Sequence, residues 1–178
     1  MLLSYVVYHS DGKSPAHQQV IDTRILYVPR HAYMEGIERI LFHSINAYRR
    51  KHGLDTLIWD ERLLKFAIGH SAWMAHSGSL SHRGFHARAA LTGMEVCVEN
   101  VGVIYLLNVG NGILKPVSSR QLALDYPDAI MEVFKGWVES MGHRRNMLYK
   151  ELKRGVVAGY PGRQGSIYIT FFACGEIR

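Results

Sequence analysis

The run Trp137-Val138-Glu139-Ser140-Met141-Gly142-His143-Arg144-Arg145-Asn146-Met147 joins the end of an amphipathic segment to a histidine followed by two arginines. Upstream of it, Ile130, Val133, Phe134, Trp137 and Val138 recur at the spacing that puts apolar side chains on one face of a helix. Pro127 suits the first turn, where its missing N–H would have no intrahelical partner, and Asp125 or Asp128 complements the positive end of the helix. Gly142 is the residue type that ends helices in the left-handed conformation, so the helix is expected to stop there. His143 is then expected beside the negative end of that helix, a place that favours its protonated form or a bound cation.

Reading outward, the stripe Ile37, Ile40, Leu41, Ile45 and Tyr48 predicts a helix from about Tyr33 to Lys51, closed by Gly53. Asp60 is a good N-cap for a second helix that carries Leu64, Ala67, Ile68, Ser71, Ala72 and Ala75 on one side and ends at Gly78. The β-branched run around Glu95 to Val103 reads as a strand shielded from water. Residues 104–124 read as a long loop. Two strands close the chain, Gly155 to Tyr160 and Ser166 to Ala173, joined by the hairpin connection Pro161 to Gly165. At the other end, Leu3 to Tyr8 and Val20 to Val28 have strand-like composition around a polar segment with Gly12, Ser14 and Pro15. The expectation is a β-hairpin extension over residues 1–32, packed on a main domain of residues 33–178.

With 178 residues and 48% apolar content, the chain can bury a core without help from metal or disulfides. No apolar run approaches the length needed to span a membrane, and the opening Met1 to Tyr8 lacks a basic region, so it is not read as a signal peptide. A net charge of +6 leans toward anionic partners, although Arg49-Arg50-Lys51 and Lys150 to Arg154 also read as solvated element ends. Nucleic acid is not expected, because charge alone points to it and no recognisable module does. Cys97 and Cys174 form no disulfide framework. They pair if their strands are neighbours, and buried free thiols serve a core equally well.

Among 10 histidines, His70, His76, His82 and His86 recur along a helix and the turn after it. Gly84 interrupts the last pair, and no glutamate follows His82 as it would in a zinc-protease helix. Ser140 lacks the small-residue elbow of a serine nucleophile.

The order of separated motifs says more than any of these singly. Asn46 and Arg49 lie in the first helix, Leu57-x-Trp59-Asp60 follows, His70 and Met74 lie in the second helix, and then come Ser81-His82, Glu99-Asn100, Trp137-x-x-Ser140-x-Gly142-His143-Arg144-x-Asn146-Met147 and Tyr168-x-Thr170-x-Phe172. In this order the chain resembles the CAP superfamily of cysteine-rich secretory proteins, antigen 5 and pathogenesis-related proteins, and most of all its bacterial SCP-like branch. The resemblance implies an α+β fold, a three-layer α-β-α sandwich with a central, mainly antiparallel sheet. It also implies a cleft in which His82 and His143 match the two family histidines and Glu99, followed by Asn100, matches an acidic position. Ser140 stands where many eukaryotic members have glutamate, and Val98 replaces a usual glycine.

By the same resemblance, His82, His143 and Glu99 are the implied ligands of zinc or another divalent cation. Ser140 and Asn100 are expected to complete the cleft. The function so implied is that of a secreted or periplasmic binding module without catalytic residues, its cleft taking a lipid, glycan or protein. The alternative is a zinc-assisted hydrolase built on His82, Glu99 and His143, which have the ligand count of such a site.

Overall fold

A computed structural model describes residues 6–9, 34–105, 108–110, 113–115 and 127–176. In chain order its elements are β1 (Val6–His9), α1 (Glu35–Lys51), β2 (Ile58–Trp59), α2 (Glu61–Ser77), α3 (Phe85–Ala90), β3 (Val96–Tyr105), β4 (Asn108–Gly110), β5 (Ile113–Lys115), α4 (Pro127–Glu139), α5 (Met141–Met147), β6 (Leu152–Pro161) and β7 (Ser166–Gly175). One sheet runs in the order β1-β3-β7-β6-β2, antiparallel throughout except for the short parallel pairing of β2 with β6.

Alternation along the central strands supplies each face with its own core. Ile167, Ile169, Phe171 and Ala173 of β7 join Val98 and Val157 in packing against Ile37, Leu41 and Ile45 of α1 and Ile130, Val133 and Trp137 of α4. Phe172 and Cys174 of β7 point the other way, with Cys97, Val156 and Ala158, onto Leu64, Ala67 and Ile68 of α2 and Phe85 and Ala89 of α3. Helices on both faces of one mainly antiparallel sheet are the α-β-α sandwich expected from the sequence. Asp60 and Gly78 bound α2 as anticipated: the Asp60 carboxylate accepts the Arg62 N–H, and Gly78 is left-handed at φ 69°.

Three expectations change in detail. The helix through Trp137 ends at Glu139, not Gly142, because Ser140 turns extended (ψ 118°) and its carbonyl starts α5 by accepting from Arg144 N. Arg144 Nη1 also donates to the terminal carbonyl of Val138, which removes the need for a left-handed glycine, and Gly142 lies inside α5. Within 104–124, read as loop, residues 104–105 lengthen β3, and β4 and β5 pair as a hairpin. The remainder of that segment lies outside the described residues. At the N-terminus, Val6–His9 pairs with Val96–Glu99 as an edge strand of the main sheet, while the second arm of the expected hairpin, Val20 to Val28, also lies outside the described residues.

Cys97 and Cys174 face each other directly across β3 and β7, with Cα atoms 4.1 Å apart, and form a disulfide. Both are fully buried.

Candidate functional site

Glu99 is the centre of the site, a carboxylate with 0% exposure on a strand of valines. Its side chain shares a face of β3 with Cys97, toward α2 and α3. A buried carboxylate needs paired partners, and Glu99 has three. Oε1 accepts from His82 Nδ1 at 2.9 Å and lies 3.5 Å from His70 Nε2, and Oε2 accepts from Arg88 Nη2 at 2.7 Å. Burial opposes its charge, but His70, Arg88 and His82 outweigh burial and hold its pKa down to about 2.

His82 lies in the turn between α2 and α3, and that turn is tied at several points. His70 Nε2 donates to the Ser81 carbonyl at 2.6 Å, and Arg88 Nη1 donates to the Arg83 carbonyl at 2.7 Å. Burial lowers the His70 pKa to about 4, so at neutral pH it acts as a neutral donor. His82 donates from Nδ1 to the ionised Glu99 carboxylate, which leaves Nε2 as the ring nitrogen that Glu99 does not engage. That nitrogen is buried and has no hydrogen-bond partner among the described residues.

His143 is the third residue of α5. Its ring Nδ1 lies 2.8 Å from Ser140 Oγ, and its Nε2, like that of His82, is buried without a partner among the described residues. Burial, and then the charge of His82, push its pKa down to about 4. Asn100, on the opposite face of β3 from Glu99, donates to the His143 carbonyl at 3.0 Å. Asn146 donates to the Glu99 carbonyl and to Asn100 Oδ1. Thus α5, held to one face and the edge of β3, brings its histidine toward the turn held on the other face.

Of the residues expected in the site, His82 and Glu99 touch directly, Ser140 orients His143, and Asn100 braces the backbone that carries His143. Both Glu99 oxygens are engaged, by His82 and Arg88, and among the described residues no three His, Cys, Asp or Glu side chains are grouped to hold a metal ion. One expectation needs correction: His143 lies at the start of a helix, not past the end of one. Of the other clustered histidines, His70 joins the site. His76 bonds the Ala72 carbonyl and packs on Tyr160, and His86 packs on Phe85.

Arg88 and the role of His70 at Glu99 were not read from the sequence. Neither lies near Glu99 along the chain. A glutamate within a run of valines was nevertheless a signal, since a buried carboxylate requires cationic or donor partners.

A mainly antiparallel sheet sandwiched by helices, with His82 and His143 carried by elements packed on either side of β3, defines an α-β-α sandwich protein. Residues 42–175 match the CAP family, the cysteine-rich secretory protein family, and the chain belongs to it. Solved structures with the same fold include an extracellular SCP-domain protein from Bacillus anthracis, at 22% identity and TM-score 0.56 over 84% of this chain and 45% of that one. An outer surface protein from Borrelia burgdorferi matches at 16% identity and TM-score 0.59, covering 85% of this chain and 100% of that one. The CAP domain of enterococcal PrgA matches at 19% identity and TM-score 0.53, covering 85% and 64%. The chain therefore spans less than half of the Bacillus anthracis protein. No curated protein sequence matches it significantly. No helix among the described residues is long and apolar enough to cross a membrane.

Proposed function

We propose that the protein is a non-catalytic CAP-domain binding module in which His82 and His143 hold a divalent cation such as zinc, and that the cation anchors a small or polymeric ligand. One observation carries this reading: both Nε2 atoms are buried and unpartnered among the described residues, while each Nδ1 is engaged, by Glu99 in one ring and Ser140 in the other. Metal-ligating histidines are held in this way, with the second ring nitrogen fixed by a carboxylate or hydroxyl so that the first is aimed at the ion. Glu99 accordingly orients His82 and does not ligate. A bound divalent cation would supply Lewis acidity, and two protein ligands leave coordination positions for oxygen donors of a partner.

The hydrolase alternative finds less support, because its only carboxylate, Glu99, has both oxygens committed to His82 and Arg88. Placement outside the cytosol is part of the proposal. It is supported by the buried Cys97–Cys174 disulfide, a bond that persists in oxidising compartments.

Calorimetric titration with zinc tests the reading. One equivalent is expected to bind the native protein, and uptake is expected to vanish in His82→Ala and in His143→Ala. Undiminished affinity in either variant would overturn it.

A further inference from the structure

Arg88 donates a hydrogen bond both to the carboxylate behind His82 and to the turn that carries His82, whereas His70 donates to that turn and only approaches the carboxylate at 3.5 Å. Arg88 forks, with Nη2 on Glu99 Oε2 and Nη1 on the Arg83 carbonyl, each at 2.7 Å. The space for the fork comes from Gly84, which is left-handed at φ 71° and whose Cβ, if present, would lie 3.3 Å from Arg88 Nη1. We propose that Arg88 is the positioning residue of this site, acting through Glu99 and the Arg83 carbonyl to lock His82 as the Nδ1–H tautomer with Nε2 aimed inward. The inference rests on the proposed role of His82, but it concerns the metal-free ring.

The argument is one of constraint. Glu99 Oε1 alone does not fix its carboxylate plane, because rotation about the last side-chain bond is soft. Capture of Oε2 by a planar guanidinium fixes it, and the same guanidinium stops the 82–84 turn from moving away. Without Arg88, Oε2 would lose its donor inside the protein, and the carboxylate would turn toward other donors and away from His82 Nδ1. A lysine restores the charge but not the planar fork, so the two functions can be separated.

Long-range 1H–15N spectra of the histidine rings, taken on the metal-free protein, report the His82 tautomer directly. The native protein is expected to show Nδ1–H alone. Arg88→Met is expected to show mixed tautomers and a zinc affinity lower by roughly 10- to 100-fold, the usual loss when an orienting partner is removed. Arg88→Lys is expected to fold stably and give an intermediate ring spectrum. A native-like His82 spectrum in Arg88→Met overturns the inference; if that variant does not fold, a native-like spectrum in Arg88→Lys does so. Should the native protein take up no zinc, the cation reading fails while the tautomer still decides the role of Arg88.

Discussion

His143 Nδ1 lies 2.8 Å from Oγ of Ser140, the residue that immediately precedes the helix to which His143 belongs. A serine in that position ordinarily caps backbone N–H groups, but here no side-chain cap bond forms and the hydroxyl serves the ring. The relationship also reverses the electrostatics read from the sequence. At the first turn of α5, His143 meets the positive end of a helix, which favours the neutral imidazole, and its pKa is lowered to about 4, first by burial and then by the charge of His82.

Stability should therefore fall as the solution is acidified from about pH 6.5 to about pH 4. His70 and His143 both titrate near 4 in the folded protein, against 6.5 ordinarily, so in this window the unfolded chain binds protons that the native state refuses. The stability they contribute is complete above about 6.5 and lost as pH falls through 4. Urea midpoints at a series of pH values check this. His143→Gln should show a shallower decline, and a native profile flat across the window would contradict the buried neutral histidines.

The disulfide closes a segment of 77 residues between adjacent strands. Replacing both cysteines by alanine should cost about 2 to 4 kcal/mol, mainly by freeing the unfolded chain. Intact mass before and after reduction under denaturing conditions should differ by two hydrogens. Under native conditions the buried sulfurs should resist the same reductant.

Trp137 is fully buried between α4 and β7, and its Nε1 donates to the Val101 carbonyl at 3.1 Å. Trp137→Ala should destabilise by roughly 3 to 5 kcal/mol, because the cavity cannot close around a missing indole. Equilibrium denaturation measures this, and a loss under about 1 kcal/mol would mean that the site collapses freely.

Arg49, fully buried at the end of α1, donates to the carbonyls of Asp55, Met147 and Tyr149. Burial lowers its pKa to about 10, with Asp55 acting in the opposite sense, so it is charged at neutral pH. Arg49→Met should cost on the order of 3 kcal/mol or more, at about 1 to 3 kcal/mol for each buried carbonyl left unpaired. Arg49→Lys should recover only part of this, because an ammonium does not span the three acceptors. Since two of the carbonyls lie at and just beyond the end of α5, zinc uptake in Arg49→Met should weaken along with stability.

His82, Glu99, Asn100 and His143 could be singled out from the sequence because they stand in recognisable local settings. His82 follows a helix-ending glycine by a few residues, Glu99-Asn100 sits in a valine-rich strand, and His143 follows Trp137 at a fixed interval. Arg88 was not legible: a basic residue in a six-residue helix looks solvated until Glu99, 11 residues on and in another element, turns out to be its acceptor. The break at Ser140 was likewise hidden, because it depends on Arg144 reaching back to the Val138 carbonyl.

By itself the sequence determined the layers. Helical spacing at Ile37 to Tyr48 and at Ile130 to Val138, the Asp60 cap, the Gly78 stop and the β-branched strands are local properties of short segments, and local energetics select helix or strand. Only the tertiary structure decided whether Cys97 and Cys174 pair, which end of a helix His143 meets, and which side chains engage the two oxygens of Glu99. Each of these depends on which atoms come within about 3 Å of one another across different elements. Strand register and the packing of α3 and α5 against β3 set those distances, and no segment of the chain contains them on its own.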